Sequence, residues 1–266
     1  MRQLPSPCPR LTASVDGPIG RVTIANAAKK NAIDIAMWRA FPPLLEALAA
    51  DPEVRLIVLA GQGANFSTGA DIAEFDTERA TPEGSRAYEV ENVRAFEAVS
   101  LCPRPTVAAI RGFCFGAGAG LALSCDLRIA ADDATFAIPA ARLGVAYPPA
   151  AFANIVAAIG APRTKEMFFT GQRIDAASAL SAGLLNRVVA SVDFEGALAS
   201  LAQAIAAGAP MTLTAAKRAI DAAAGLPGAL SATTVQSLAD ACFDSADYAE
   251  GRAAFREKRP PQFRGR

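Results

Sequence analysis

The sequence predicts an α/β fold whose second half turns mainly helical, and three observations carry that expectation. Short apolar runs at residues 21–25 and 54–60 have strand length, and the amphipathic stretch between them at 35–50 has helical periodicity. The alternation then repeats, which is the pattern of βαβ units feeding one sheet. Beyond residue 150, alanine-rich helical stretches take over, punctuated by Gly160, Gly171, Gly183, Gly208 and Gly225.

In chain order, the strand at 21–25 leads to the helix at 35–50, which ends near Asp51-Pro52, where proline cannot continue it. The strand at 54–60 follows, then a helix at 85–101, a strand at 105–111, a Gly/Ala-rich turn into a short helix, and a strand at 127–131. One further strand is expected near 185–189. The basic, proline-containing segment 251–266 reads as a tail or as a lid over a ligand. No linker and no fixed-period repeat divides the chain, so its 266 residues are expected to form one principal core.

Composition narrows function by exclusion. Hydrophobic residues are 52% and charged residues 20%, which supplies a core and argues against global disorder. Lysine plus arginine and aspartate plus glutamate are each 26, so no general field draws the chain to nucleic acid or to an acidic membrane. The five cysteines lack CxxC spacing and histidine is absent, so neither a zinc site nor any histidine-based triad or general base is expected. The first eleven residues hold three prolines and no apolar h-region, and later apolar runs are short of a membrane span, so a cytoplasmic location is expected.

Two glycine-rich segments carry the functional signal. Gly61-Gln62-Gly63-Ala64-Asn65-Phe66-Ser67-Thr68-Gly69-Ala70-Asp71-Ile72 follows an apolar strand, and its small residues let backbone N–H groups approach a ligand closely. Arg111-Gly112-Phe113-Cys114-Phe115-Gly116-Ala117-Gly118-Ala119-Gly120 follows another strand and enters an apolar helix, which leaves free amides at a positive dipole end. Read alone, the first is a turn and the second is a close helix–strand packing, since the glycine spacing fits neither nucleotide fingerprint.

In this order, and continued by Ser124-Cys125-Asp126-Leu127-Arg128, Phe136, Pro139, Leu143-Gly144, Lys165-Glu166, Phe169-Thr170-Gly171 and Ala182-Gly183-Leu184-Leu185-Asn186-Arg187-Val188, the segments resemble the crotonase, or enoyl-CoA hydratase/isomerase, family. The resemblance runs from about residue 15 to 263. It implies a spiral of stacked ββα units over residues 1–190 and a helical C-terminal trimerisation region with a CoA-contacting tail over 191–266, assembled as a homotrimer or a dimer of trimers. It also implies an acyl-CoA substrate, with coenzyme A as part of the substrate and no separate cofactor or metal. The amides of Ala70 and Ala117 would then form an oxyanion hole for a thioester enolate, each donor worth about 3 kcal/mol in the transition state.

The departures from the family pattern are as informative. Where hydratases of this family place two catalytic glutamates, this chain has Gly120 and Ala140, neither of which can activate water or deliver a proton. Hydration by paired glutamates is therefore not expected, and adding glutamates at both positions is expected to raise it more than either change alone. Tyr147, in Leu143-Gly144-Val145-Ala146-Tyr147-Pro148, resembles the tyrosine of methylmalonyl-CoA decarboxylases, although those place histidine at the position of Ala70. Decarboxylation needs no protein base to form the enolate. Of the other ionisable groups, Asp71, Glu74, Asp76, Glu78 and Asp126 read as solvated or structural. Glu89 or Glu91 stands on the helix that could reach the acyl group, in which case double-bond isomerisation becomes available.

For CoA, the resemblance points to Ala28, Lys29 and Lys30 before Asn31-Ala32-Ile33, and to Lys258 and Phe263 in the terminal segment. Ile72 and Phe75 are the expected acyl-pocket surface, while Trp38 reads as core. Three readings remain open at the level of sequence: a lyase or isomerase acting through an enolate, a CoA-thioester-binding homologue without catalysis, and, with least support from charge, an RNA binder.

Overall fold

The computed structural model describes the backbone of residues 1–266 and every side chain but that of Ala150. The strands are β1 (Arg2–Leu4), β2 (Leu11–Asp16), β3 (Ile19–Ile24), β4 (Leu56–Gly61), β5 (Thr106–Ile110), β6 (Phe113–Phe115), β7 (Leu127–Ala131), β8 (Thr135–Ala137), β9 (Ile174–Asp175) and β10 (Arg187–Val189). Seven of them form one sheet in the order β1-β2-β3-β4-β5-β7-β10, antiparallel as far as β3 and parallel from β3 onward. β6, β8 and β9 make a second, three-stranded sheet.

The parallel strands read as continuous apolar runs because both of their faces are covered. Ile57 and Leu59 point into the larger core, which includes Val22, Ile24, Phe41, Leu44, Leu121 and Phe136. Leu56, Val58 and Ala60 point the other way, onto Phe194, Leu198 and Leu201. These last belong to α7 (Phe194–Ala206), so the first helix after residue 190 is part of the central sheet's packing.

The helices before it are α1 (Ile35–Ala50), α2 (Pro82–Ser100), α3 (Ala117–Ser124), α4 (Ala140–Leu143), α5 (Pro149–Thr170) and α6 (Ala176–Ser181). α1 occupies the predicted span, and its start is fixed by Asp34, whose carboxylate accepts from Met37 N at 3.0 Å. α2 opens with Pro82 behind a Thr81 cap that accepts from Gly84 N at 3.1 Å. α3 is built of small residues and is buried throughout, which lets it run directly behind the turn that precedes it. After α7, α8 (Pro210–Ala223), α9 (Ala232–Phe243) and α10 (Ala246–Glu257) complete the helical region.

Two expectations need correction. β1 and β2 were absent from the strand pattern, although β2 reads Leu-Thr-Ala-Ser-Val-Asp, an apolar/polar alternation that its antiparallel pairing with β3 accounts for. Segment 251–266, read as a tail or a lid, is not a free tail: residues 251–257 continue α10, and the rest is tied back to it. Carboxylates of α10 hold it: Glu250 pairs with Arg259 at 2.6 Å and accepts from Gln262 N at 2.8 Å, while Asp247 accepts from Arg264 N at 2.6 Å and Gly265 N at 2.7 Å.

Asp126 has the structural role expected of it. One oxygen, Oδ2, accepts from Thr106 N at 2.7 Å, Thr106 Oγ1 at 3.0 Å and Lys217 Nζ at 2.9 Å, tying α8 to the start of β5. The Lys217 side chain is 6% exposed. Asp126→Ala leaves that ammonium buried without its counter-ion, and the expected loss is about 3 kcal/mol. A urea midpoint equal to that of the native protein would contradict this role.

Candidate active site

The site is made where the two glycine-rich segments cross. Ser67 pairs with Cys114 as an isolated parallel bridge, through Ser67 N to Phe113 O at 2.9 Å and Phe115 N to Ser67 O at 2.9 Å. Around it, Asn31 Nδ2 donates to Gln62 O at 2.9 Å and Asn65 O at 2.7 Å, while Asn65 Oδ1 accepts from Phe113 N at 3.0 Å. Ser67 Oγ donates to Asn31 O at 2.8 Å and accepts from Gly69 N at 3.0 Å. Asn31 is fully buried, so it supports the loops from behind and does not face a ligand.

This frame aims two amides. Ile33 bridges to Ala70 by donating to Gly69 O at 2.8 Å and accepting from Asp71 N at 2.9 Å, so the N–H of Ala70 itself points away from that bridge. Ala117 is the first residue of α3, where the N–H groups of the first turn have no partner within the helix. Both residues line one cavity, and among the described residues neither amide has a backbone acceptor outside regular structure. Gly69, at φ +93°, makes their closeness possible, because a Cβ there would stand 2.8 Å from Phe115 O and 3.0 Å from Ala117 N.

The cavity holds about 90 Å³, which suits a short acyl group, since a cavity of about 150 Å³ accommodates benzene. Ile72, Phe75, Ala140 and Tyr147 line it, as the sequence led one to expect. Tyr147 comes from the irregular segment between α4 and α5, and its Oη lies 3.6 Å from where a Cβ on Gly116 would be. Its ring packs edge-on against Phe168 at 5.0 Å. Burial, and then the neighbouring Glu89, raise its phenol above the ordinary tyrosine value, with Arg79 pulling the other way.

The structure chooses between the two glutamates. Glu89 lines the cavity, whereas Glu91 turns to Arg39 at 3.4 Å and Arg94 at 3.5 Å. Glu89 takes Arg79 Nη2 at 2.9 Å and Asn92 Nδ2 at 3.2 Å. Burial raises its carboxyl above the usual glutamate value, against the opposing pull of Asn92 and Arg79. Arg79 and Asn92, which also line the cavity, were not singled out from the sequence.

Several expected residues lie elsewhere. Gly120 does not line the cavity: a Cβ on it would meet Phe96 Cζ at 3.0 Å, so the ring arriving from α2 fills the space a side chain would need. Lys258 and Phe263, expected at the CoA end rather than in the acyl pocket, do not line this cavity, and Phe263 lines an apolar cleft between α8, α9 and α10. Lys29 is bound to Asp71 at 2.6 Å, which holds that carboxyl below the ordinary aspartate value despite burial. Glu74 accepts from Ile35 N at 3.0 Å and so caps α1. Ala28 is exposed, and Lys30 lies 5.2 Å over the Phe113 ring. Trp38 is core, hydrogen-bonded to Tyr88 at 3.1 Å.

Comparison with known proteins identifies the family. The sequence pattern of the enoyl-CoA hydratase/isomerase family matches residues 15–266. The chain belongs to that family. A curated relative, the short-chain-enoyl-CoA hydratase of Clostridium acetobutylicum, is 30% identical over 92% of this chain and 93% of its own length. Among solved structures, an enoyl-CoA hydratase/carnithine racemase from Magnetospirillum magneticum superposes with a TM-score of 0.90 at 35% identity, covering 99% of this chain and 97% of that one. The enoyl-CoA hydratase of Bacillus anthracis gives 0.87 at 26% identity over 97% and 100%. The crotonase fold and membership of an acyl-CoA enzyme family are thereby established for this chain.

Gly69→Ala tests the frame. A methyl group there forces Phe115 and Ala117 back and separates the two amides, so turnover of the best thioester should fall by about 10² or more, the range seen when one such donor is lost. Unchanged turnover in a folded variant would show that the crossing does not set the amides.

Proposed function

We propose that this family member forms and quenches the enolate of a short acyl-CoA thioester, with Ala70 and Ala117 as oxyanion donors and Glu89 as the single proton-transfer group. The observation that supports this most is Glu89, a cavity-lining carboxyl with a raised proton affinity, while positions 120 and 140 offer none. Paired-glutamate hydration has no second carboxyl to use among the described residues that line the cavity. Coenzyme A arrives with the substrate, and the chemistry requires no other cofactor.

Two reactions need only one such group. In decarboxylation the Cα–carboxylate bond breaks, carbon dioxide leaves, and its electron pair becomes the enolate held by the two amides. The proton of Glu89 then moves to Cα, and solvent restores it. In isomerisation ionised Glu89 takes a proton from the chain and returns it at another carbon. Tyr147 favours the first reaction, since its hydroxyl stands beside Gly116 and can donate to a leaving carboxylate. The direction of the pH dependence separates them. Because the carboxyl of Glu89 is raised, decarboxylation should fail as pH rises through that raised value, and isomerisation should fail as pH falls through it.

Glu89→Gln should lower turnover by roughly 10² to 10⁴ with CoA-thioester binding kept. A loss below about threefold in kcat would remove Glu89 from the chemistry, and binding without turnover on any thioester would favour a non-catalytic binding protein. Crotonyl-CoA hydration should be very slow. Ala140→Glu with Gly120→Glu should raise it only when Phe96 is also reduced to alanine, because Phe96 fills the space beside Gly120.

The assembly proposed is a homotrimer or a dimer of trimers. The cleft between α8, α9 and α10 is lined by Ala216, Val235, Phe243 and Phe255, and Phe243 and Phe255 are 62% and 87% exposed. Light scattering should report three or six chains, and a stable monomer at micromolar concentration would contradict that assembly.

A further inference from the structure

Arg79 is the least expected side chain at the site. Its backbone is fixed between the Asp71 turn and α2, with Arg79 N donating to Glu74 O at 2.9 Å and Ser85 Oγ donating to Arg79 O at 3.1 Å. Its guanidinium stacks between the rings of Phe75 and Tyr88, 4.8 Å from each centroid, which fixes the plane in which its N–H groups point. The side chain is only 8% exposed, and what remains open borders the acyl cavity and a larger groove behind it.

A guanidinium carries five N–H donors. Among the described residues, that of Arg79 makes one side-chain hydrogen bond, to Glu89 Oε1. None of its other nitrogens is among the buried atoms sealed from solvent without a partner, and the side chain borders both the cavity and the groove. Arg79 and Glu89 are also the charged side chains of that cavity among the described residues. In the groove behind, Arg86 is paired with Glu83 at 3.3 Å and Arg94 with Glu91 at 3.5 Å, and Glu97 is acidic. Arg79 is therefore the cation with donors to spare where an acyl group would lie.

We propose that Arg79 reads a carboxylate on the acyl chain, so that the substrate class is a short carboxyacyl-CoA of about the malonyl to succinyl size. This rests on the acyl-CoA reading of the cavity given above. A planar guanidinium receives a carboxylate through two parallel N–H···O bonds, and a plane already fixed by two rings loses little freedom in doing so. Glu89 can accommodate such a ligand by taking up a proton: burial raises its proton affinity, and a second carboxylate beside it acts in the same direction. Arg79 is the one cation lining the cavity among the described residues. Tyr147, also kept protonated by burial, adds a neutral donor.

Titration calorimetry with four thioesters tests this: malonyl-CoA and succinyl-CoA against acetyl-CoA and butyryl-CoA. On the native protein at least one carboxyacyl-CoA should bind tenfold or more tightly than its neutral counterpart, and its binding should take up a proton, seen as a dependence of the heat on the buffer. Preference for malonyl-CoA places the carboxylate on Cα, and preference for succinyl-CoA places it at the chain end. Arg79→Met should bring the ratio to within twofold while butyryl-CoA binds as before, and Arg79→Lys should fall between. Equal or tighter binding of the neutral chains by the native protein overturns the proposal and leaves the acyl-CoA reading standing. A variant that weakens all four alike overturns it as well, because Arg79 would then only support the fold. Failure of the native protein to bind any of the four removes both readings at once.

Discussion

The site depends on one contact, the parallel bridge between Ser67 and Cys114 that lays the first glycine-rich segment across the second. It is made of backbone hydrogen bonds in buried surroundings, where an unpaired N–H or carbonyl is costly, so the crossing has little freedom to slide. From it follow the turn at Gly69, the exposure of the Ala70 amide, and the approach of that turn to the first residue of α3. Asn31, Asn65 and Ser67 serve the same end by occupying the loop carbonyls and amides that would otherwise compete for the ligand. Catalytic donors of this kind are preorganised by the fold and need no reorganisation when charge develops on the substrate.

A second layer differs in character. Glu89, Asn92 and Arg79 bring ionisable and amide groups to a cavity whose other walls are mostly apolar, and they do so from α2 and the segment leading into it. In the function proposed, the amides would stabilise an enolate for any thioester that fits, and the charged pair would decide which acyl group is admitted and where a proton goes. Positions 120 and 140, a glycine and an alanine, bring no carboxylate to this layer.

Much of the frame was legible in the sequence because it is local. The turn at 61–72 and the turn at 111–120 announce themselves by small residues that allow close backbone approach, and the family resemblance they carry pointed to Ala70 and Ala117. Ile72 and Phe75 followed because they adjoin the first turn in the chain. What stayed hidden depends on contacts across the chain. Nothing in the sequence around Gly120 shows that Phe96, twenty-four residues earlier, fills the space beside it. Arg79 stands in an unpatterned segment, and its rings and its carboxylate partner come together only when α2 packs. The choice of Glu89 over Glu91 is a matter of helix phase: two residues along α2 turn the side chain from the cavity toward Arg39. Lys29 and Lys30 looked alike as a basic pair, yet Asp71 takes one and leaves the other over Phe113.

The most direct test of the account is the vibrational spectrum of the thioester carbonyl in the bound state, measured by isotope-edited infrared difference spectroscopy with crotonyl-CoA labelled at that carbon. Two hydrogen bonds from Ala70 and Ala117 should polarise the carbonyl and move its stretch to lower frequency than in free crotonyl-CoA. The shift should shrink in Gly69→Ala. A carbonyl that absorbs at the same frequency bound and free would contradict the claim that these two amides hold the reacting oxygen.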